Sequence, residues 1–186
     1  DYLQARWIWE DFNNLTNWTA ETGTWSADGV AHQTDTTTGG KRLKYTGGNV
    51  FLANYFVEIR FKHLLNEQCQ CSTFPRYVDR SNSYQVMSQA NVDKVYLYRG
   101  VGGSWTLLAE AAKTIGLDTW YKMKVDQRDE GANWRCKVYW QDETSPCINY
   151  LESPRTYNNA GSAVIEGYNA VAGPKQDFDY FYLWTE

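Results

Sequence analysis

Residues 95–112 read VYLYRGVGGSWTLLAEAA, residues 118–143 read DTWYKMKVDQRDEGANWRCKVYWQDE, and these two segments decide the fold class. Apolar and polar side chains alternate through both, and in residues 121–126 every second side chain is apolar. Successive side chains of a β-strand point to opposite faces, so this period of two is typical of half-buried strands. Glycines in residues 99–103 and 129–133 supply positive-φ positions for tight reversals. The segments therefore predict an antiparallel meander with one apolar and one polar face.

Turn residues divide the rest of the chain into short segments of the same kind. No repeat, low-complexity tract or Pro/Ser-rich linker interrupts it, and 186 residues suffice for one domain with its own core. Residues 107–115 have a helical alternative, which their strand-like neighbours disfavour. Many short strands separated by turns predict an all-β sandwich or closed barrel. The predicted strands are residues 5–12, 22–26, 29–35, 41–46, 49–62, 68–78, 83–89, 92–99, 104–110, 119–128, 133–142, 147–151, 162–168 and 176–184.

The composition is acidic and rich in aromatic residues. A net charge of −4 does not favour a nucleic-acid partner. Nine Trp and fourteen Tyr raise the aromatic content to 16%, which is common in extracellular β-proteins. Some of these rings are expected to fill strands, and others are candidates for a binding surface. No segment approaches the roughly 18 apolar residues of a membrane span, and the first residue, Asp1, fits either a secreted product after signal-peptide removal or a trimmed chain.

The four cysteines, Cys69, Cys71, Cys136 and Cys147, are an even number, which favours disulfides in an oxidising compartment. A zinc site is disfavoured because the C-x-C spacing of Cys69 and Cys71 does not match the usual C-x-x-C pairs. These two residues would face the same side of one strand, so each is expected to pair with Cys136 or Cys147. The alternatives are a Cys136–Cys147 pair across a hairpin, leaving a reactive couple, and four buried thiols.

Segments along nearly the whole chain occur in one recognisable order. Near the start are EDFN at residues 10–13 and GTWS at residues 23–26, and near the end is FDYF at residues 178–181. In this order the segments resemble concanavalin A-like (laminin G-like) jelly-roll domains. The resemblance implies an all-β fold of two antiparallel sheets, a location outside the cytoplasm, often a glycan-binding concave face, and in some members a structural calcium ion. The segments between the ends that share the pattern are residues 74–84, 97–99, 105–109 and 120–125.

Two features depart from the family pattern. Pro75 lies within a predicted strand, where it removes a donor from the hydrogen-bond ladder and indicates an edge or a bulge. Residues 64–72, which include two cysteines, have the character of a local insertion.

The sequence carries no motif for glycan hydrolysis. Glycosidases of this fold present two carboxylates from one strand as E-x-D-x-E or E-x-D-x-x-E, and neither spacing occurs here. The acids within residues 126–130 and 142–143 lie in or beside turns, where solvated side chains are expected. His32 and His63 are far apart in sequence and belong to no nucleophile or metal motif. The sequence therefore predicts a protein that is not an enzyme.

Carboxylates at the two ends of the chain are candidates for a structural calcium site. The candidates are Glu10 and Asp11 near the start, and Asp177 and Asp179 near the end. The resemblance implies that the terminal strands pair, which would bring these acids together as the hard oxygen ligands that calcium prefers. Alternatively, they are solvated acids at two strand ends.

Cations and tyrosines alternate with the apolar residues of several strands and are predicted to share the polar face of one sheet. Aromatic planes stack on sugar rings, and Lys or Arg pairs with carboxylates or sulfates, so an anionic polysaccharide is one expected ligand. The alternatives are the acidic face of a neighbouring copy and a solvated face without a partner. The candidate ligand-binding residues are Lys94, Tyr96, Tyr98, Lys122, Lys124, Arg135, Lys137 and Tyr139, with Arg60 and Lys62 adding to the charge.

These observations support two functional hypotheses. The first is a secreted glycan-binding or adhesive module, for which Asn14 and Asn17, each beginning an N-x-T motif, are candidate N-glycosylation sites. The second is a structural subunit of an extracellular filament or surface layer. In both hypotheses residues 1–186 form one jelly-roll domain, and in the second the strand-like residues 1–9 add to the open sheet edge of a neighbour.

Overall fold

The fold is built from short antiparallel strands. The structure is a computed structural model that describes residues 7–47, 54–65, 69–157, 162–169 and 176–185. Within these ranges one short 3-10 turn occurs at Ala90–Val92, and no helix is long and apolar enough to cross a membrane. The strands are β1 Trp7–Glu10, β2 Trp18–Ala20, β3 Trp25–Ala27, β4 Ala31–Gln33, β5 Gly39–Tyr45, β6 Tyr55–His63, β7 Cys69–Thr73, β8 Tyr77–Asp79, β9 Asn82–Gln89, β10 Lys94–Val101, β11 Ser104–Ala112, β12 Tyr121–Glu130, β13 Asn133–Trp140, β14 Ile148–Glu152, β15 Val164–Asn169 and β16 Gln176–Thr185.

The strands form two sheets of eight strands each. Sheet 1 has the order β14-β13-β12-β6-β16-β4-β3, and β1 also pairs with β16. Sheet 2 has the order β11-β10-β9-β7-β15-β5-β2, and β8 also pairs with β9. Neighbouring strands run antiparallel, as in the hairpin that pairs Val125 with Val138. The predicted all-β fold of two antiparallel sheets is confirmed.

Alternate side chains of the two sheets meet in a shared core. Val57, Ile59 and Phe61 of β6 are buried there from sheet 1, and Val86 of β9 and Leu97 of β10 are buried there from sheet 2. Fully burying a side chain of this size stabilises the fold by roughly 1.5–3 kcal/mol. Because that energy fixes which residues of each strand point inward, it also fixes which residues point outward and form the two external faces.

Most predicted strands are confirmed, with small shifts at their ends. β2 was not predicted, because three residues with one buried side chain carry too short a pattern. The strand predicted over residues 68–78 is broken between β7 and β8, where Pro75 lacks a ladder donor and Arg76 has a left-handed φ of 61°. Residues 107–115 are extended as far as Ala112. Residues 49–53 of the strand predicted over residues 49–62 lie outside the described residues. So do residues 66–68 of the insertion predicted over residues 64–72.

The described part of the N-terminal segment pairs within its own chain. β1 lies antiparallel to the end of β16, with Trp9 opposite Tyr182 and Glu10 opposite Phe181. Residues 1–6 lie outside the described residues. Donation of residues 1–9 to a neighbouring copy therefore stays a prediction, and residues 7–9 would have to leave this pairing to take part in it.

The predicted disulfides are not shown by the structure, in which all four cysteines are free thiols. Cys69 and Cys71 lie on β7 of sheet 2, whereas Cys136 lies on β13 of sheet 1 and Cys147 just before β14. Register places Cys136 opposite Tyr150, three residues from Cys147 and about 10 Å away along the strand. A disulfide requires Cα atoms within about 7 Å. The alternative of buried thiols holds for Cys69, Cys71 and Cys136, while Cys147 is half-buried.

Candidate functional site

The outer face of sheet 2 carries a groove with a volume of about 300 Å³. Because Tyr84 and Val86 of β9 point into the core, Gln85 and Met87 between and beyond them point outward into the groove. Strands β5, β7, β10, β11 and β15 contribute residues by the same alternation. The groove is therefore a surface assembled from distant parts of the chain. Its described lining residues are Gly40, Arg42, Gln70, Gln85, Met87, Tyr98, Trp105, Glu166 and Tyr168.

The floor of the groove is a buried polar network centred on Glu166. Arg42 and Glu166 face each other across β5 and β15, with Arg42 Nε 2.6 Å from Glu166 Oε2 in an ion pair whose N–H is not aligned as a hydrogen bond. Gln85 Nε2 donates to Glu166 Oε1 at 2.9 Å and to Ser72 Oγ at 3.0 Å. Burial raises the pKa of the Glu166 carboxyl group, and the Arg42 charge opposes that shift. The floor is thus polar, rigidly connected and close to neutral in charge.

One end of the floor is closed by the segment between β7 and β8. The Arg42 guanidinium lies 5.2 Å from the ring centre of Phe74 and 6.0 Å from that of Tyr77. These two rings bury Val164 beneath them in a second, small apolar cluster. Gly40 leaves room beside the network, because a Cβ atom there would lie 2.4 Å from Glu166 Oε2. Both features hold Arg42 and Glu166 in one arrangement.

Aromatic side chains form the walls. Trp105 of β11 lies over Gly100 of β10, where an added Cβ would approach the indole ring to 3.0 Å. The absence of a side chain at Gly100 therefore lets the half-exposed Trp105 ring lie flat beside the groove. Tyr98 and Tyr168 line the groove from β10 and β15. Together they provide planar apolar surfaces above a hydrogen-bonding floor.

The eight residues predicted to form one ligand-binding face are divided between the two sheets. Lys94, Tyr96 and Tyr98 lie on β10 of sheet 2, where the Tyr96 and Tyr98 rings are 5.7 Å apart and Tyr98 lines the groove. Prediction of a single face is wrong, because alternation shows which residues point outward but not to which sheet a strand belongs. The other five predicted ligand-binding residues lie on the opposite side of the molecule, on β12 and β13 of sheet 1. They are Lys122, Lys124, Arg135, Lys137 and Tyr139.

Most of these cations lie beside a carboxylate, so the faces they occupy are not strongly positive. Lys94 Nζ lies 2.6 Å from Glu110 Oε1, next to the groove. On sheet 1, Lys124 Nζ lies 3.9 Å from Glu58 Oε2. Two further pairs join Lys122 to Asp142 and Arg135 to Glu130.

The residues at the centre of the groove were not among the predicted ligand-binding residues. Arg42, Gln85 and Glu166 each occupy an outward position of a strand, which the alternation of their own strands shows. Their proximity depends on the pairing of β5 with β15 and of β7 with both β15 and β9, across gaps of dozens of residues. One signal in the sequence could have pointed to Glu166. It is a charged residue at an outward strand position that has apolar residues on both sides, in the segment VIEGY at residues 164–168.

The four acids predicted to bind calcium do not come together. Glu10 and Asp11 accept hydrogen bonds from asparagine side chains, whereas Asp177 and Asp179 form ion pairs with cations. Register pairs Glu10 with Phe181, four residues and roughly 13 Å from Asp177. Among the described residues, no group of three or more His, Cys, Asp and Glu side chains is arranged to hold a metal ion. The residues present therefore do not fit a calcium ion.

A Cys-His-Ser cluster lies in the core and not in the groove. His63 Nε2 is 2.9 Å from Ser88 Oγ, and Cys71 Sγ is 3.9 Å from His63 Nδ1. Burial lowers the pKa of His63 to about 4 and raises the pKa of Cys71 well above its usual value. A neutral imidazole and a protonated, buried thiol do not form an activated nucleophile. The cluster instead joins β6 of sheet 1 to β7 and β9 of sheet 2.

The groove also lacks the usual arrangement for cutting a glycosidic bond. Glu166 is the one carboxylate among the described residues that line it. Glycoside hydrolysis generally uses two carboxylates on either side of the scissile bond. The arrangement in the groove can hold a hydroxyl-rich molecule by hydrogen bonds and ring stacking.

Both candidate glycosylation residues are exposed in the loop before β2. Asn17 Nδ2 donates to Glu10 Oε1 at 2.9 Å, and Asn14 Oδ1 accepts from the Thr16 amide at 2.9 Å. Modification of either residue stays a prediction.

Comparison with solved structures identifies the fold. No protein-family model matches this chain, and neither does any curated protein. The carbohydrate-binding module CBM66 from Bacillus subtilis aligns over 89% of this chain and 94% of its own, with 18% identity and a TM-score of 0.67. The exoplasmic/lumenal domain of VIP36, bound to Ca²⁺ and Man3GlcNAc, aligns over 94% of this chain and 86% of its own, with 11% identity and a TM-score of 0.66.

An enzyme is also among the similar structures. The GH43 protein BlXynB from Bacillus licheniformis aligns over 96% of this chain but only 39% of its own, with 12% identity and a TM-score of 0.66. The likeness is therefore to a part of that protein. Identities this low establish the fold alone. The chain is a concanavalin A-like jelly-roll domain in fold, as the resemblance of its segments predicted.

Proposed function

We propose that this chain is a non-catalytic carbohydrate-binding module whose groove on sheet 2 binds a neutral glycan. The observation that supports it best is the buried Arg42–Glu166–Gln85 network enclosed between aromatic side chains. Carboxylate, guanidinium and amide groups offer both donors and acceptors to sugar hydroxyls. Aromatic rings such as Trp105 offer flat apolar surfaces to the C–H faces of a sugar ring. A glycan matches both at once.

A neutral glycan fits the groove better than the anionic polysaccharide expected from the sequence. The Arg42 charge is balanced by Glu166, and the Lys94 charge is balanced by Glu110. An additional carboxylate or sulfate would therefore find no uncompensated cation on the floor. It would also lie close to the buried Glu166 carboxyl group, which adds repulsion.

The similar structures agree with this proposal. One is a carbohydrate-binding module, and the other was solved with Man3GlcNAc bound. The VIP36 structure also holds Ca²⁺, whereas the described residues of this chain form no cluster that could hold a metal ion, so we propose that glycan binding in the groove needs no calcium. We also propose a location outside the cytoplasm, where a carbohydrate-binding module meets its ligands and where exposed Asn14 and Asn17 would be glycosylated.

Binding to an array of neutral and acidic glycans, followed by calorimetry on the best neutral ligand, tests the proposal. Trp105→Ala removes a half-exposed wall ring, and its glycan affinity is expected to fall roughly tenfold, because an aromatic contact contributes up to about 1.5 kcal/mol and about 1.4 kcal/mol corresponds to tenfold. Leu151→Ala, which removes a similarly exposed apolar side chain from the edge strand β14 of sheet 1, is the matched control and is expected to bind normally. Absence of binding to every glycan, or equal binding by Trp105→Ala, would reject the groove as the site.

A self-assembling structural subunit is the second candidate. Its supporting observation is β11, which ends the strand order of sheet 2 and exposes Leu107 and Trp105. A long, apolar edge strand presents unpaired backbone groups to another chain. Strand addition at β11 would join two copies edge to edge.

A further inference from the structure

The outer face of sheet 1, on the side of the molecule opposite the groove, carries a second set of aromatic rings. Phe181 and Leu183 of β16 are fully buried, so the residues that alternate with them point outward. Trp9 of β1 lies opposite one of these, Tyr182. The set is called the aromatic face and consists of Trp9, Phe56, Tyr180, Tyr182 and Trp184.

The rings of the aromatic face form two stacked pairs. Trp9 and Tyr180 stack with centroids 4.9 Å apart and planes at 26°, and Phe56 and Trp184 stack at 5.1 Å and 24°. Tyr182 packs against the first pair, with its centroid 5.9 Å from that of Trp9 and its plane tilted by 59°. Since β1, β16 and β6 are hydrogen-bonded neighbours, the sheet itself fixes these distances.

The aromatic face combines one exposed ring, Trp9, with four half-buried rings. Trp9 is 59% exposed, the largest value among the exposed large hydrophobic residues described. Single exposed apolar residues are normal on a protein surface, but a contiguous aromatic patch rimmed by polar residues marks a binding site. Trp9 is not a single exposed residue of that kind, because it stays accessible while it contacts two other aromatic rings.

The charges around the aromatic face are paired with one another. Glu58 accepts a hydrogen bond from the Tyr180 hydroxyl and lies 3.9 Å from Lys124 Nζ. Arg128, whose guanidinium lies 5.3 Å from the Phe56 ring centre, is 2.9 Å from Asp126 Oδ1. Among the described residues, the charges beside these rings are therefore paired, which does not favour a nucleic acid, an anionic glycan or an acidic protein as the ligand.

The ion pair between Glu58 and Lys124 favours a glycan over a protein as the ligand of this face. Glu58 and Lys124 lie in the middle of the face, and a dry protein interface would remove their water at a cost of several kcal/mol per ion. A polysaccharide brings hydroxyl groups that can replace those waters as donors and acceptors. Its C–H faces can lie on the rings at the same time.

Together with the outward residues of the neighbouring strands β12 and β13, the aromatic face fits an extended chain better than a single sugar. Backbone register runs Trp9, Tyr182, Glu58, Lys124 and Tyr139 across five adjacent strands. Four spacings of about 4.8 Å give a row of roughly 19 Å. We propose that the aromatic face is a second binding site, independent of the groove, that takes the flat surface of an extended neutral polysaccharide.

Retention of the protein on two insoluble neutral polysaccharides, microcrystalline cellulose and chitin, tests this proposal. The wild-type protein is expected to bind at least one of them, and Trp9→Ala is expected to weaken that binding roughly tenfold by removing one stacking ring. Trp9→Phe, which keeps a ring, is expected to restore most of the retention. Because Trp9 is exposed and β1 pairs through its backbone, the fold should tolerate both variants.

Groove variants separate this test from that of the proposed function. Trp105→Ala is expected to remain on the insoluble polysaccharide with unchanged affinity. Failure of the wild-type protein to bind either polysaccharide, or equal retention of Trp9→Ala and wild type, would overturn the second site. A Trp9→Ala variant that loses a dimer seen in sedimentation velocity while keeping its retention would show instead that the aromatic face joins two copies of the chain.

Discussion

At the scale of single residues, His63 shows how burial alone sets a chemical property. Its side chain is completely buried, and its Nε2 atom lies 2.9 Å from the hydroxyl group of Ser88. Nothing acidic accompanies it, so burial lowers its pKa from 6.5 to about 4. His63 belongs to no nucleophile or metal motif in the sequence, and in the structure it is the last residue of strand β6.

His63 makes the folded state sensitive to acid. The unfolded chain binds a proton at His63 below about pH 6.5, whereas the folded chain binds it only near pH 4, so the free energy of unfolding falls as pH falls between these values. The expected loss is about 3 kcal/mol, from the difference between the two pKa values. Urea unfolding at pH 7, 5.5 and 4.5 measures it.

His63→Gln is the control for that dependence, because it keeps a polar side chain but does not titrate. The variant is expected to be less stable at pH 7 and to lose less stability on acidification. His32 acts in the opposite direction: burial lowers its pKa, but hydrogen bonds to Asp177 and Asp28 raise it above 6.5 overall. Its contribution is present at low pH and disappears as pH rises through its folded pKa. An identical pH slope in wild type and His63→Gln would contradict the assignment.

At the scale of elements, the local sequence pattern is sufficient to predict where the strands lie but not which strands pair with each other. Residues 55–63 alternate so regularly that β6 follows from the sequence, including which side chains are buried. The hairpin of β12 and β13 follows too, because a glycine turn joins two consecutive strands. In contrast, β7 pairs with β15, about a hundred residues later, and no local feature of either strand specifies that partner.

The same limit explains the errors at the candidate site. Lys94 and Lys124 both occupy outward positions of regular strands, as predicted. They lie on opposite faces of the molecule because the chain passes from sheet 2 to sheet 1 between β11 and β12. Arg42 and Glu166 are neighbours only because of the β5–β15 pairing, so the groove could not be predicted before the topology was known.

The edge strand β11 carries the prediction of the second candidate function. If copies join by strand addition, sedimentation velocity should show concentration-dependent association of the wild-type protein. Leu107→Lys places a charge on this edge, where Leu107 is 45% exposed, and is expected to weaken association at least tenfold because a charged edge opposes pairing. Leu151→Lys, on the edge strand β14 of sheet 1, is the matched control. A wild-type protein that sediments as a monomer at all concentrations would reject strand addition at β11.

At the scale of the whole molecule, the sandwich separates the groove from the aromatic face by its full thickness. The two sheets of a sandwich pack about 10 Å apart, and outward side chains add to that separation. No described residue lines both surfaces: the groove belongs to sheet 2 and the aromatic face to sheet 1. Substitutions more than about 7–10 Å apart that share no partner usually have additive effects. The two sites should therefore bind their ligands at the same time and without energetic coupling.

Simultaneous occupation predicts that the protein links an insoluble polysaccharide to a soluble glycan. Cellulose or chitin particles coated with wild-type protein should capture a fluorescent oligosaccharide that binds the groove, with the affinity measured in solution. Particles coated with Trp105→Ala should retain the protein but capture at least tenfold less glycan, while Trp9→Ala should be lost from the particles with its groove affinity intact. The double variant should show both losses and no more, since the coupling between the sites is expected to be below about 0.5 kcal/mol. A soluble glycan that releases wild-type protein from the particles would show that one surface binds both ligands, because two independent sites on opposite sheets cannot compete.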